Sequence, residues 1–126
     1  MMAAAMRLYA LRGAITVDAN DREQILQATD ELMGELLARN MLTPNDIVNC
    51  IFTMTDDLNA EFPAVAARNM GFERVPLLCV REIPVPGAME RVIRVLVQYH
   101  APEGHEARHV YLRDARALRA DLESAQ

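Results

Sequence analysis

Bulky apolar and small or polar residues alternate from Tyr9 to Val17, with Tyr9, Leu11, Ile15 and Val17 on one parity and Ala10, Arg12, Ala14 and Thr16 on the other. A period of two predicts a first strand whose bulky face packs on a core. Arg12 falls on the opposite face, among small residues that leave space beside it. Gly13 within the strand marks a bulge or a close backbone approach.

The period then changes. Asn20-Asp21-Arg22-Glu23 reads as a capping box, with the Asn20 oxygen accepting from backbone N–H and Glu23 reaching back. Behind it, Ile25, Leu26, Thr29, Leu32, Met33, Leu36 and Leu37 recur at steps of three and four. This spacing predicts an amphipathic helix ending near Asn40.

Thr43-Pro44-Asn45-Asp46 forms a turn, and the β-branched, apolar run from Ile47 to Thr55 predicts a second strand. Pro63 opens a short helix that Gly71 closes. A third strand is expected over Val75 to Val80, with Pro76 confining its start to an edge or a strand end. Pro84-Val85-Pro86-Gly87 forces a non-helical connection to a fourth strand, Val92 to Tyr99. A polar loop from His100 to Ala107 and a short extended piece, His109 to Leu112, precede a weakly helical tail. The order β-α-β-α-β-β-β predicts an α/β (α+β) fold: a mixed sheet, one long helix on one face and the other face uncovered. An uncovered apolar sheet face is suited to packing between subunits.

At 126 residues, 52% of them hydrophobic, the chain fits one domain, 1–126, with residues 1–6 a flexible N-terminus and 113–126 a mobile C-terminal tail. The formal net charge of -5 disfavours nucleic acid as a partner. No stretch reaches the length of a membrane span, and the apolar N-terminus is too short for a secretory core, so a cytoplasmic location is expected. Cys50 and Cys79 form no CxxC pair, which fits free thiols in a reducing compartment. Every basic residue is Arg. Guanidinium binds carboxylates in a fixed two-pronged geometry, but GC-rich coding yields the same bias, so the abundance alone marks no site.

Three charged residues depart from scaffold logic. Arg94 interrupts the apolar strand Val92-Ile93-Arg94-Val95-Leu96-Val97, Arg12 lies mid-strand, and Glu82 follows the apolar Val75 to Val80. A charge in such a setting is paired, solvent-facing or kept for a ligand. A plain Arg94–Glu82 ion pair satisfies that requirement as well as an anion site does. Cys79 among apolar neighbours reads as an inert thiol rather than a nucleophile. His105 and His109 are four apart, a metal-binding spacing only on a helix, and Pro102 and Gly104 oppose a helix there. No metal site is expected. No GxGxxG or phosphate-binding loop occurs, so no nucleotide cofactor is expected either.

Several blocks together resemble a known family. Leu11-Arg12-Gly13-Ala14-Ile15-Thr16-Val17, Thr55-Asp56-Asp57-Leu58 with Phe62-Pro63-Ala64-Val65-Ala66-Ala67-Arg68, Val75 to Glu82, Ile93-Arg94-Val95, Arg108-His109-Val110-Tyr111-Leu112 and Leu118 to Leu122 recur in order and at similar spacing. They are similar to the monofunctional, trimeric chorismate mutases of the α/β-barrel class. The resemblance implies an isomerase that converts chorismate to prephenate in the shikimate pathway of aromatic amino acid biosynthesis, without cofactor. It implies a homotrimeric pseudo-α/β-barrel with active sites between subunits.

By position, the resemblance assigns Arg12 to a substrate carboxylate and Arg94 to the ether oxygen and a carboxylate. Glu82 and Cys79 would address the ring hydroxyl, and Tyr111 the side-chain carboxylate. Phe62, Ala64 and Arg68 would form a wall or rim from the neighbouring chain, and Leu118 and Arg119 part of a mobile lid. Val65 stands where Lys is expected, Leu78 where Thr is expected and Ala120 where Pro is expected. Cys79 and Glu82 are three apart, so sharing one site requires the strand to end or kink after Val80. Two further readings stay open: a non-catalytic trimeric module that binds small carboxylates, and an imine deaminase on a similar trimeric fold.

Overall fold

The computed structural model describes residues 5–119. The chain runs β1 (Met6–Thr16), α1 (Arg22–Asn40), β2 (Ile47–Met54), α2 (Pro63–Asn69), β3 (Leu77–Arg81), β4 (Val92–Pro102) and β5 (Val110–Leu112), with single 3-10 turns at Pro44–Asp46 and Arg113–Ala115. The five strands form one mixed sheet in the order β3-β2-β4-β1-β5. β4 pairs antiparallel with β1 and β2, whereas β5 and β3 add in parallel at the two edges. This is the mixed α+β arrangement that the alternation predicts.

Amphipathicity decides which face is covered. Ile25, Leu32, Met33 and Leu36 of α1 are fully buried against Leu11, Ile15, Phe52 and Val97 of the sheet. On the opposite face Leu8, Leu78, Val80 and Leu96 remain exposed. A smaller cluster covers one end of that face. There Ala14, Val92 and Ala115 are buried, with Met89, Tyr111 and Leu118 packed against them.

The strands depart from expectation at their ends. β1 starts at Met6, within the stretch expected to be a flexible N-terminus, and carries β4 with it: Met6↔Pro102 and Leu8↔His100 extend the ladder past Tyr99 into the expected polar loop. Backbone pairing outweighs the polar character of His100 there. β3 begins at Leu77 rather than Val75, because Pro76 has no N–H to donate and contributes its carbonyl to Cys50 N instead (3.1 Å).

The helix cap also differs. Asp21, not Asn20, is the N-cap, its carboxylate accepting from Gln24 N at 3.1 Å. A carboxylate there also complements the positive end of the helix. Asn20 Oδ1 instead accepts from Asn59 N and Ala60 N, at 2.9 and 3.0 Å, and so fixes the loop that leads into α2. Glu23 pairs with Arg22 rather than reaching back. α2 closes as expected, with Gly71 at φ +101° beyond its end.

Of the expected tail, residues 113–119 form a turn and a short helical stretch with Ala115 buried. Residues 120–126 lie outside the described residues.

Gly13 shows what the central strand requires. The β1–β4 register runs through it without a shift, so it is a close approach and not a bulge. A Cβ at this position would stand 3.1 Å from Leu32 Cδ1, 3.3 Å from the Val110 carbonyl oxygen and 3.3 Å from Val95 Cγ1. Gly13→Val is therefore expected to lower stability by about 1–3 kcal/mol through overpacking. A urea midpoint equal to that of the parent chain would show that α1 and β5 can move aside.

Candidate functional site

The sheet register aligns a row of side chains on the uncovered face. Tyr111 pairs with Ala14, Ala14 with Arg94, and Arg94 with Thr53, across β5, β1, β4 and β2. Arg12 pairs with Leu96, two residues along from Arg94, so the two arginines are diagonal neighbours on one face. Diagonal pairs lie about 7–8 Å apart at their backbones, within reach of long side chains. Ala14 matters by being small, since it leaves room between Tyr111 and Arg94.

These residues line a cavity of about 330 Å³, with Arg12, Ala14, Ile51, Thr53, Arg94 and Tyr111 among its walls. Arg94 donates from Nε to both carboxylate oxygens of Glu82, each at 3.1 Å, and Thr53 Oγ1 donates to Glu82 Oε2 at 2.6 Å. The ion pair named as one alternative thus exists, but it engages only Nε. Among the described residues the Arg94 Nη groups, the Arg12 guanidinium and the Tyr111 hydroxyl make no hydrogen bond. The cavity is therefore lined by two arginines and a tyrosine that keep free hydrogen-bonding capacity, among largely apolar walls. The chemistry of such a set suits a small anion carrying more than one acceptor group.

Cys79 does not join them. β3 neither ends nor kinks after Val80: it runs to Arg81, and Glu82 N still donates to Met54 O at 3.0 Å. Regular alternation then puts Glu82 on the arginine face and Cys79, paired with Phe52, on the helix-covered side. Cys79 packs there against the main core and lines a separate hollow of about 460 Å³ with Phe62, Glu61 and Arg81.

Within one chain the expected rim residues also lie elsewhere. Phe62 is 62% exposed at the start of α2, Ala64 is buried under that helix, and Arg68 is exposed in its last turn. Val65 and Leu78 are partly buried and exposed respectively, and Ala120 lies outside the described residues. Leu118 packs against the small cluster beside Tyr111 and Ala14, whereas Arg119 is exposed and acts electrostatically on His109.

Sequence reading missed Thr53 and Asn40. Thr53 shares the parity of Ile51 in β2, a visible signal, but its value depends on the β2–β4 register, which one chain's periodicity does not reveal. In the sequence Asn40 marks only the end of a helix. Its side chain clasps the backbone of Arg108 through 2.8 and 3.0 Å bonds, a contact 68 residues away in sequence.

Comparison with known proteins gives a consistent result. Residues 8–122 match the family described as chorismate mutase type I. Chorismate mutase AroH of Thermus thermophilus is 51% identical over 118 residues, which cover 92% of this chain and 97% of that protein. Chorismate mutase AroH of Bacillus subtilis is 39% identical over 120 residues, covering 93% and 94%. Among solved structures, a chorismate mutase from Clostridium thermocellum superposes with a TM-score of 0.80 at 42% identity, covering 86% of this chain and 98% of that one.

The two thiols differ in a checkable way. Cys50 is fully buried, and burial pushes its thiol up to about 12, whereas Cys79 is only half-buried. Thiolate is the reactive form, so Cys50 is expected to resist an aromatic disulfide reagent at about pH 8 until denaturant is added. Full reaction of both thiols in the native protein would show that the core around Phe52 opens readily.

Proposed function

The chain belongs to the chorismate mutase type I family, and from that membership we propose how its residues rearrange chorismate to prephenate. The reaction is an isomerisation. It breaks a C–O bond and forms a C–C bond in one pericyclic step, and no proton has to move. A general acid or base is not required. The barrier is set by the need to fold the enolpyruvyl side chain over the ring and by the charge that gathers on the ether oxygen as its bond lengthens.

Arg12 and Arg94 address both. With guanidinium groups held on neighbouring strands, the two carboxylates of the substrate are gripped in the folded conformation, and Tyr111 adds a donor to the side-chain carboxylate. Preorganisation of this kind supplies up to about 7–11 kcal/mol in favourable cases. The free Arg94 Nη groups are assigned to the ether oxygen. A donor already aimed there stabilises the transition state more than the ground state. Glu82 fixes the guanidinium plane through Nε, is itself held by Thr53, and accepts from the ring hydroxyl. The regular course of β3 leaves the Cys79 side chain outside this set.

The observation that carries the reading is the shared cavity: Arg12 and Arg94 both line it, and Glu82 orients the second of them. The neighbouring chain is proposed to close that space. Phe62, Ala64 and Arg68 lie away from the cavity of their own chain, and exposed Leu8, Leu78 and Leu96 offer an apolar surface for a homotrimer with sites at its interfaces. Leu118 and Arg119 are proposed to border the entrance as part of a lid. The free thiols suit a cytoplasmic enzyme, which we include in the proposal.

The test is loss of chorismate absorbance in the ultraviolet on adding pure protein. Arg94→Ala is expected to fold normally and to lose about 10²–10³ in kcat, the scale of a missing oxyanion donor. Arg94→Lys should remain poor, because a single ammonium cannot serve ether, carboxylate and Glu82 together. Parent-level kcat/KM in Arg94→Ala would remove Arg94 from the chemistry. Solution mass at the monomer value in an active sample would remove the trimer.

A further inference from the structure

The mechanism above leaves His109 unused, yet it touches the backbone of Arg12. The contact begins at α1. Asn40, its last residue, is buried, and its side chain bonds both to Leu36 O at 2.9 Å and to the N–H and C=O of Arg108. That clasp fixes the chain immediately before His109. His109 Nδ1 then accepts the Arg12 backbone N–H at 2.9 Å, across 97 residues of sequence.

The bond fills a place that no strand occupies. Pairing of β1 with β5 starts at Gly13↔Val110, one residue further along. The imidazole thus acts as the acceptor that extends this ladder by one position, at the residue whose side chain lines the cavity. An Nδ1 that accepts carries no proton, so the ring must be neutral with its proton on Nε2. We propose that His109 is a positioning residue: its neutral Nδ1 fixes the backbone of Arg12, and substrate affinity falls when the imidazole is protonated. The inference rests on the reading of Arg12 as a carboxylate ligand.

The surroundings favour the neutral ring. Partial burial, and after it the cationic Arg12 of β1 and Arg119 beyond β5, hold the imidazole below its usual range. His109 is nonetheless exposed in the single chain, so the effect is partly screened by water. The sign follows directly. The accepting form is present above the lowered value and is lost as pH falls through it, when a second positive charge also arises beside Arg12.

Two substitutions separate positioning from mere packing. His109→Asn places an uncharged amide oxygen near the position of Nδ1 and does not titrate; His109→Leu removes the acceptor. The measurement is kcat and KM for chorismate from about pH 5 to pH 8, the range in which histidine changes charge. In the parent chain KM should rise on the acid side while kcat changes little. His109→Leu should raise KM about 3- to 10-fold at neutral pH, the scale of one hydrogen bond. His109→Asn should recover most of that affinity and lose the acid rise. The proposal is overturned if His109→Asn keeps the acid rise, or if His109→Leu binds chorismate as the parent does. Should His109→Leu fail to fold, the His109→Asn profile decides alone. A parent chain that does not turn chorismate over would instead overturn the assigned function, a distinct result.

Discussion

The antiparallel ladder between β1 and β4 sets everything at the cavity. It runs unbroken from Met6↔Pro102 to Thr16↔Val92 and holds Leu11, Ile15, Val95 and Val97 under α1. Because side chains alternate, the same pairing turns Arg12, Ala14 and Arg94 to the other face. A slip of one residue in either strand would carry an arginine into the core and an apolar side chain into the cavity. Burial of the hydrophobic face therefore specifies the position of the charges, and no interaction between the charges themselves is needed to place them. The edge strands depend on that ladder in turn. β5 brings Tyr111 alongside Ala14, and β2 brings Thr53 alongside Arg94.

The electrostatics show why the two guanidinium groups tolerate one another. Glu82 neutralises Arg94 through Nε and leaves the Nη groups free, and Thr53 holds the carboxylate in place. Arg12 has no such partner among the described residues, but it is exposed and its charge is solvated. Two guanidinium charges less one carboxylate leave the cavity singly positive in a chain whose net charge is -5. An incoming dianion thus meets a locally favourable field, while the carboxylate prevents Arg94 from swinging aside. A lysine in place of Arg94 would lose this division of labour, since one ammonium has no separate edges to offer.

How much of this was legible in the sequence depended on whether the signal was local. Periodicity gave the strands, the long helix and the face on which Arg12 lies, because burial of one face imposes that pattern directly. Pro76 marked a strand start to within two residues, and Gly13 marked a bulge or a close approach that only the register and the packing decided. Choices between adjacent residues were not legible. Asn20 and Asp21 are both good caps, and the selection was made by Asn59 and Ala60, some forty residues away in the chain. The strand ends at Met6 and Pro102 were hidden because each exists only through the other. Cys79 and Glu82 are a sharper case. Local alternation placed them on opposite faces, family resemblance placed them together, and the alternation describes the folded chain. Asn40 and His109 carried no local mark, since their partners are defined by the packing of α1 and β5 against β1.

The open face of the sheet joins stability and chemistry. Stabilising charge on an ether oxygen requires donors in a dry, preorganised setting, where their field is not averaged by water. A single chain supplies the preorganisation, through the sheet register, Glu82 and Asn40. It does not supply the dryness, because Arg12 is exposed and Leu78 and Leu96 beside the cavity are exposed with it. The same apolar side chains are costly to leave in water and are the natural drive for association. In the proposed trimer, covering them also removes solvent from the guanidinium groups. Assembly and catalytic competence would then respond to a single physical change, the drying of one sheet face, and the arginines would reach full strength only where a neighbouring chain is present.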